Sequence, residues 1–262
     1  MKMTEKTSIS IGIISGKGGV GKTTISSSLG VILHELGRKM MVADCDVDAP
    51  NLGLLFKSGE ILEQTTVQTT EKSTFLPDKC IHCKKCITEN YCKFHALSWN
   101  EEINIPIVDG IACEGCGACM ELCPEYAFEI NAIDSGTILH ERTKYGFDIV
   151  WGETVLGAQT SGKLVMEIKK IVSSTLESNQ LELAVIDGPP GVGCPVIATV
   201  TDLDYVIVIV EPTSTALHDA DRAIQMLRQL RRKHGIIINK SDMWKQGYDE
   251  IIEYAKRIQS RF

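Results

Sequence analysis

Gly16-Lys-Gly-Gly-Val-Gly21-Lys22-Thr23 is the stretch of sequence that decides the fold of this chain. It fits the pattern G-x4-G-K-S/T and lies between an apolar run that ends at Ile14 and a stretch of helical length that begins at Thr24. In that setting, backbone N–H groups wrap the phosphates of a nucleotide, Lys22 reaches the β- and γ-phosphates and Thr23 binds Mg²⁺. The pattern predicts that ATP and Mg²⁺ are bound by Gly18, Gly19, Val20, Gly21, Lys22, Thr23 and Thr24. A glycine-rich turn without a ligand is the alternative.

Short β-branched apolar runs predict a parallel sheet. They are Ser8–Ile14, Lys39–Ala43, Leu183–Ile186, Tyr205–Val210 and Ile236–Ile238. Each run is nearly continuous rather than alternating, as expected for strands that are buried on both faces. Amphipathic stretches between them, such as Thr24–Leu36 and Ala216–His234, have helical length. This alternation predicts a doubly wound, mainly parallel α/β fold.

Composition limits the environment and the partners. The N-terminus lacks the apolar stretch of a signal peptide, and no apolar run is long enough for a spanning helix, so we expect a cytoplasmic protein without stable membrane insertion. Thiols stay reduced in the cytoplasm, which favours metal binding over disulfides for the ten cysteines. The formal net charge of −7 argues against a nucleic acid partner.

Eight of the ten cysteines lie in one segment that interrupts the alternation of strands and helices. The segment repeats internally, since Cys80-x2-Cys83-x2-Cys86 recurs as Cys113-x2-Cys116-x2-Cys119 and Cys92 is matched by Cys123. Strands are predicted on both sides, so we interpret the segment as an insertion. The predicted organisation is 1–75 and 134–262 for the α/β domain and 76–133 for a small inserted α+β domain.

The second cysteine run, which ends in Cys123-Pro124, has the spacing of bacterial proteins that hold two [4Fe–4S] clusters. In that pattern three cysteines bind one cluster and the fourth crosses to the other cluster. The rule predicts one cluster on Cys92, Cys113, Cys116 and Cys119 and the other on Cys80, Cys83, Cys86 and Cys123. The first copy departs from the pattern, with the additional length of Ile87–Tyr91 and with Lys93 in place of proline. Structural zinc is the competing hypothesis.

The region around the phosphate-binding pattern resembles the MinD/ParA/Mrp class and the nitrogenase iron protein, because Lys17 adds a second lysine before the glycines. The resemblance implies that Lys17 acts on the ATP of a partner subunit, as an arginine finger does. Asp44-Cys45-Asp46 matches the Asp-x-Asp of the class, which implies Asp46 as the residue that orients the attacking water and Asp44 as a metal ligand. By the same resemblance Asp187 holds Mg²⁺ and Asn239 contacts adenine.

The order of motifs is similar to that of MinD-superfamily ATPases with an inserted ferredoxin domain. Gly157–Val165, Asp187–Pro195 and Glu211–Asp219 add to this resemblance, which runs from about Ile9 to Lys240. It implies an ATP-dependent homodimer, or a heterodimer with a paralogue. Cys194 follows Asp187 at an offset similar to that of a cluster ligand in the nitrogenase iron protein, and we expect instead a buried, inert cysteine.

The final stretch is amphipathic and is interpreted as a packed helix rather than a membrane-binding one. Its apolar face is Tyr248, Ile251, Ile252, Ala255, Ile258 and Phe262.

Two functions of different kinds fit these patterns. The preferred hypothesis is an ATPase in which the nucleotide state gates low-potential electron transfer through both clusters to a redox partner. The second is an Mrp-like carrier that assembles or delivers clusters to apo-metalloproteins, although no Cys-x2-Cys pair lies outside the inserted segment. Positioning of cargo and ATP-dependent amidation are weaker alternatives, since neither explains the cysteine runs.

Overall fold

The computed structural model describes residues 8–56, 59–155, 157–158 and 161–258. The strands are β1 (Ile9–Ser15), β2 (Met40–Asp44), β3 (Glu60–Val67), β4 (Thr70–Phe75), β5 (Leu97–Asn100), β6 (Ile105–Val108), β7 (Phe128–Ile133), β8 (Gly136–Arg142), β9 (Asp148–Thr154), β10 (Leu183–Pro190), β11 (Tyr205–Val210) and β12 (His234–Ile238). The α-helices are α1 (Lys22–Glu35), α2 (Leu52–Phe56), α3 (Lys85–Thr88), α4 (Ala118–Leu122), α5 (Ser161–Ser178), α6 (Cys194–Val200), α7 (Ser214–Gln229) and α8 (Lys245–Arg257).

These elements form two compact units. The sheet unit comprises the described residues of Met1–Thr65, Ile138–Glu153 and Ser161–Phe262. The cysteine unit comprises those of Thr66–Thr137 and Thr154–Thr160.

The sheet unit is built on an eight-stranded sheet in the order β12-β11-β1-β10-β2-β9-β8-β3. Every neighbouring pair from β12 to β9 is parallel, which confirms the predicted α/β fold with a mainly parallel sheet. The β10–β2 register places Asp187 directly beside Asp44. The carboxyl ends of these strands therefore bring the predicted acids to the same edge as the loop that follows β1.

Apolar residues of the central strands form the core of the sheet unit together with those of α2 and with Phe147. Fully buried members include Ile13, Val42, Phe56 and Ile149. Phe56 packs edge to face on Phe147, with ring centroids 5.1 Å apart. Burial of such aromatic surface fixes the position of the strands whose ends carry the polar site.

The cysteine unit contains two antiparallel ribbons, β4 with β7 and β5 with β6. It extends beyond the predicted inserted segment, residues 76–133, at both ends. The reason lies in β4, which contains no cysteine but pairs along its length with β7, from Thr70 opposite Ile133 to Phe75 opposite Phe128. The ribbon therefore belongs to the same unit as the cysteines.

Two predicted helices of the sheet unit have different outcomes. The helix predicted over Ala216–His234 is too long, because α7 ends at Gln229 and Arg231 adopts a left-handed conformation with φ of 55°. The amide N–H of Arg232 then donates to the Leu227 carbonyl, which closes the helix end. The packed C-terminal helix is present as α8, with Ile251 and Ala255 buried.

Phe262, assigned to the apolar face, lies outside the described residues, and sequence reasoning missed the buried Tyr254. None of the helices formed by the described residues is long and apolar enough to cross a membrane.

Candidate functional site

The loop between β1 and α1 has left-handed glycines at Gly19 and Gly21. Gly21 has φ of 100°, a left-handed conformation, and precedes the first residue of α1. A Cβ added to Gly21 would lie 2.3 Å from Nδ2 of Asn239, and that amide donates to the Val20 carbonyl at 2.8 Å. Asn239, which follows β12, thus holds the loop in place. Its predicted contact with adenine stays a prediction.

We expect Gly21→Ala to lower the free energy of unfolding of the nucleotide-free protein by about 1–3 kcal/mol, because alanine is strained at this φ and meets Asn239. Gly18→Ala is the matched control, since nothing lies within 4 Å of a Cβ at Gly18. Thermal unfolding of both variants without nucleotide measures the difference. Equal melting temperatures for the two variants would contradict this account of the loop.

Lys22, the first residue of α1, is a buried cation among acids. Only 7% of the Lys22 residue surface is exposed. Burial lowers the pKa of Lys22, while the carboxylates of Asp187, Asp46 and Asp44 act in the opposite direction. An ammonium group in such a desolvated place binds phosphate more strongly than it does in water.

Asp187 is the most deeply buried acid of the site. It is 0% exposed, and its Oδ1 accepts a hydrogen bond of 2.7 Å from the hydroxyl of Ser26 on α1. Burial and the neighbouring Asp44 raise the pKa of Asp187 to about 7, whereas the hydroxyls of Thr23 and Ser26 lower it. Its Oδ2 is buried and has no hydrogen-bond partner among the described residues. This oxygen, with the adjacent Thr23 hydroxyl, fits a site for Mg²⁺ or for water bound to Mg²⁺.

Asp44 and Asp46 have different environments. The Asp44 carboxylate accepts backbone N–H bonds from Asp46, Asn51 and Leu52 at 2.9–3.0 Å, so it shapes the loop that leads into α2. Its proposed role as a metal ligand rests on the resemblance alone. Asp46 is half-buried, and burial together with Asp44 raises its pKa to about 6. Its carboxylate is therefore mainly ionised above that pH and accepts hydrogen bonds.

We expect Asp187→Asn to raise the stability of the free protein at pH 8 by about 1–3 kcal/mol, because it removes a desolvated negative charge. The sign follows from the raised pKa, since a folded state that holds the proton more tightly loses stability as pH rises from about 4 to about 7. The same variant should lose the stabilisation that Mg²⁺ with ATP gives the parent. Calorimetry at pH 8 with and without both ligands measures the two effects, with the exposed Asp249→Asn as control. A less stable free protein would count against the desolvation argument.

Lys17 is paired within its own chain. Its Nζ lies 2.6 Å from Oε1 of Glu211, which follows β11, and Lys240 contacts the other oxygen of the same carboxylate at 2.8 Å. These two lysines lower the pKa of Glu211. Lys240 also donates to the Gly19 carbonyl at 2.9 Å, so Glu211 and Lys240 hold two residues of the loop, Lys17 and Gly19, beside the ends of β11 and β12. Glu211 begins one segment of the family resemblance and Lys240 ends the matching stretch, but no role was predicted for either residue.

In the cysteine unit, cysteines from both repeats line two cavities. The Cys80 cavity is lined by Cys80, Cys83, Cys86 and Cys123. The Cys113 cavity is lined by Cys92, Cys113, Cys116 and Cys119. Each cavity thus combines three cysteines of one run with the fourth of the other. Tyr91, from the additional length in the first copy, lines both cavities.

The backbone of the two repeats matches at equivalent positions, as three pairs of residues demonstrate. His82 and Gly115, Lys84 and Gly117, and His95 and Tyr126 all have left-handed φ values between 50° and 77°.

Amide-to-sulfur contacts repeat as well. Ala96 N–H donates to Cys92 Sγ at 3.3 Å, and Ala127 N–H donates to Cys123 Sγ at 3.4 Å. A pseudo-twofold relation therefore connects the cavities. His82 and His95 themselves are exposed.

The donor set fits a pair of iron–sulfur clusters. Burial and the neighbouring thiols of Cys123, Cys80 and Cys83 raise the pKa of Cys86 to about 11, so four thiolates require a compensating positive core. No group of three or more His, Cys, Asp or Glu side chains within the described part of the chain is arranged to hold a single metal ion. A cubane distributes its four cysteines over four irons, so its ligands surround a cavity rather than a point.

The remaining two cysteines lie in the sheet unit. Cys45 is fully buried. The prediction of a buried Cys194 is wrong, because this residue is exposed where it begins α6. The pattern Cys194-Pro195 marks the helix start correctly but carries no information on burial.

A parallel sheet with a glycine loop at the end of β1, a buried lysine and a buried acid on β10 define the class of P-loop nucleotide-binding proteins. The chain belongs to the CobQ/CobB/MinD/ParA nucleotide-binding domain family, whose model matches residues 11–261.

Its relatives include two proteins of Methanocaldococcus jannaschii. MJ0578 is 40% identical over 235 residues, which cover 89% of this chain and 78% of the relative. MJ0579 is 31% identical over 252 residues, 95% of this chain and 87% of the relative. An iron–sulfur cluster carrier protein of Pyrococcus furiosus is 23% identical over 254 residues, which cover 92% and 68% of the two chains.

Among solved structures, the chain is similar to cobyrinic acid a,c-diamide synthase of Mycobacterium smegmatis with bound ADP and magnesium. The TM-score is 0.51 at 16% identity, with 95% of this chain and 82% of that chain covered. At this identity the likeness supports the fold alone.

Proposed function

We propose that this protein hydrolyses ATP and that its nucleotide state gates low-potential electron transfer, through two [4Fe–4S] clusters, to a partner protein. The observation that carries the proposal is that one chain combines a nucleotide-binding loop with two cavities lined by four cysteines each. Because the nucleotide-binding loop and the two electron carriers share one polypeptide, the nucleotide state can control electron transfer.

On the nucleotide side, residues 18–24 hold the phosphates and Lys22 neutralises their charge. Thr23 and Asp187, with Asp44 nearby, hold Mg²⁺. Asp46 accepts a hydrogen bond from the attacking water and so orients that water toward the phosphate. Lys17 leaves Glu211 and reaches the nucleotide of a second subunit, so hydrolysis depends on a homodimer or on a heterodimer with a paralogue.

On the cluster side, each [4Fe–4S] cluster supplies a one-electron couple when it is bound. The cysteines anchor the clusters, and their backbone amide donors, such as those of Ala96 and Ala127, stabilise the thiolates. Tyr91, which is buried, lines both cavities. The partner is a redox protein rather than nucleic acid, in keeping with the net charge of −7.

The experiment is anaerobic turnover of the reduced protein with Mg²⁺, ATP and an artificial electron acceptor, followed by the visible absorbance of the clusters. Oxidation should require hydrolysis, so it should fail with a non-hydrolysable ATP analogue and in Lys22→Ala. Lys39→Ala is the matched control, because Lys39 is exposed and precedes β2 at the amino-terminal end of the parallel strands, opposite the nucleotide-binding loop. Equal oxidation by Lys22→Ala would overturn the proposal.

Delivery of clusters to apo-proteins is the second candidate, and the relative named as an iron–sulfur cluster carrier favours it. The cavities argue for retention, since each is completed by cysteines from both repeats and release would require both to open. Incubation with an apo-ferredoxin separates the two functions. ATP-dependent transfer of iron and sulfide to the acceptor would favour the carrier.

A further inference from the structure

One pair of pseudo-equivalent positions gives the two cysteine cavities different hydrogen-bond donors. Ser73 on β4 lines the Cys113 cavity and lies opposite Ile130 in its ribbon. Pro106 on β6 lines the Cys80 cavity and lies opposite Trp99 in the other ribbon. Ser73 lies seven residues before Cys80, and Pro106 lies seven residues before Cys113. The two residues are therefore equivalent in the repeat, and each lines the cavity of the other cysteine run.

Ser73 makes two contacts that Pro106 cannot make. Its backbone N–H donates to Cys113 Sγ at 3.4 Å, and its hydroxyl lies 3.1 Å from Cys119 Sγ. Proline has no N–H and no hydroxyl, so the Cys80 cavity lacks both donors at this position.

Lys72, the residue before Ser73, adds a difference in charge between the two cavities. Lys72 is buried at 6% exposure, and its ammonium donates to the Cys113 carbonyl at 2.5 Å. The equivalent residue before Pro106 is Ile105, which carries no charge. A buried positive charge is screened far less than an exposed one.

Exposed charged side chains near the cavities have a smaller electrostatic effect on them than the buried Lys72. Lys84 lines the Cys80 cavity, but its ammonium is paired with Glu101 at 2.6 Å. Lys85 and Glu125 also line this cavity, and Glu114 lines the other one, all exposed to solvent. Screening by water and salt reduces their influence relative to that of Lys72.

We propose that Ser73 and Lys72 give the cluster of the Cys113 cavity the higher reduction potential, so that this cluster holds the first electron. The inference rests on the proposed function, because it requires both clusters to be present. Reduction adds one electron and makes the cluster more negative, so hydrogen bonds to its sulfurs and a nearby cation stabilise the reduced form. The Cys80 cavity, with Pro106, holds the cluster of lower potential.

The test is a redox titration of the anaerobically reconstituted full chain, followed by EPR. The parent should show two one-electron waves. Ser73→Ala should lower the upper wave by about tenfold in the reduction equilibrium, which is 59 mV for one electron. Ser73→Thr, which keeps the hydroxyl, should restore it. Pro106→Ser, which adds both donors, should raise the lower wave and narrow the gap.

Thr74→Ala, at an exposed position on the same strand, is the control and should leave both waves in place. A single wave in the parent overturns the inference, and so do two waves that shift in neither Ser73→Ala nor Pro106→Ser. Either result is compatible with the presence of both clusters. Fewer than about eight irons per chain in the reconstituted parent overturns the proposed function instead.

Discussion

Replacing Lys22 with alanine should weaken ATP binding by about 10- to 150-fold, equivalent to about 1.5–3 kcal/mol for a hydrogen bond to a charged group. Lys22 is buried beside Asp187, so its charge faces the phosphates in a site with little water. The variant leaves three acids without their cation. The remaining affinity should therefore depend on Mg²⁺ more steeply than that of the parent, and hydrolysis should fall below detection. Calorimetric titration with ATP measures the affinity.

The variant also separates binding from folding. Burial of the Lys22 ammonium costs stability in the free protein, as its lowered pKa indicates, so Lys22→Ala should keep the parent's melting temperature to within a few degrees. The exposed Lys39→Ala should match the parent in both affinity and melting temperature. Tight ATP binding by Lys22→Ala would mean that the loop holds nucleotide through its backbone alone.

The fold was predictable where a local sequence pattern directly reflects burial in the folded protein. Tyr205–Val210 is a continuous apolar run because both faces of β11 are buried, and its predicted and observed bounds agree. The end of α7 was missed because Arg231 adopts a left-handed conformation, which glycine commonly signals in a sequence and arginine does not. The basic residues at 231–233 therefore lie after the helix, although their charge suits a helix end.

The residues that sequence reasoning missed act through partners that are distant in the chain. Ser26 reaches Asp187, Glu211 reaches Lys17, and Ser73 reaches Cys119. None of them stands in a motif whose spacing implies the contact, whereas the cysteine spacing carries its own geometry. Pairings of this kind depend on how helices, strands and loops pack in the folded chain, and no local spacing in the sequence specifies them.

Replacing Cys123 with alanine should leave about four of about eight irons per chain, and the cluster lost should be the one in the Cys80 cavity. The residue lies in the second cysteine run, so assignment by proximity in sequence would predict loss of the other cluster. Iron and sulfide analysis with EPR spin counting measures the loss. Cys194→Ser, an exposed cysteine outside both cavities, should retain all the iron.

The identity of the surviving cluster follows from combining cysteine variants with Ser73→Ala. Ser73 contacts Cys113 and Cys119, so in the Cys123→Ala background its loss should still lower the remaining reduction potential. In the Cys92→Ala background the Cys113 cavity has lost its fourth cysteine, and Ser73→Ala should have no effect on the wave that remains. If the two backgrounds behave the other way round, each cluster takes all its ligands from one repeat, and the crossing of Cys92 and Cys123 between the cavities is wrong.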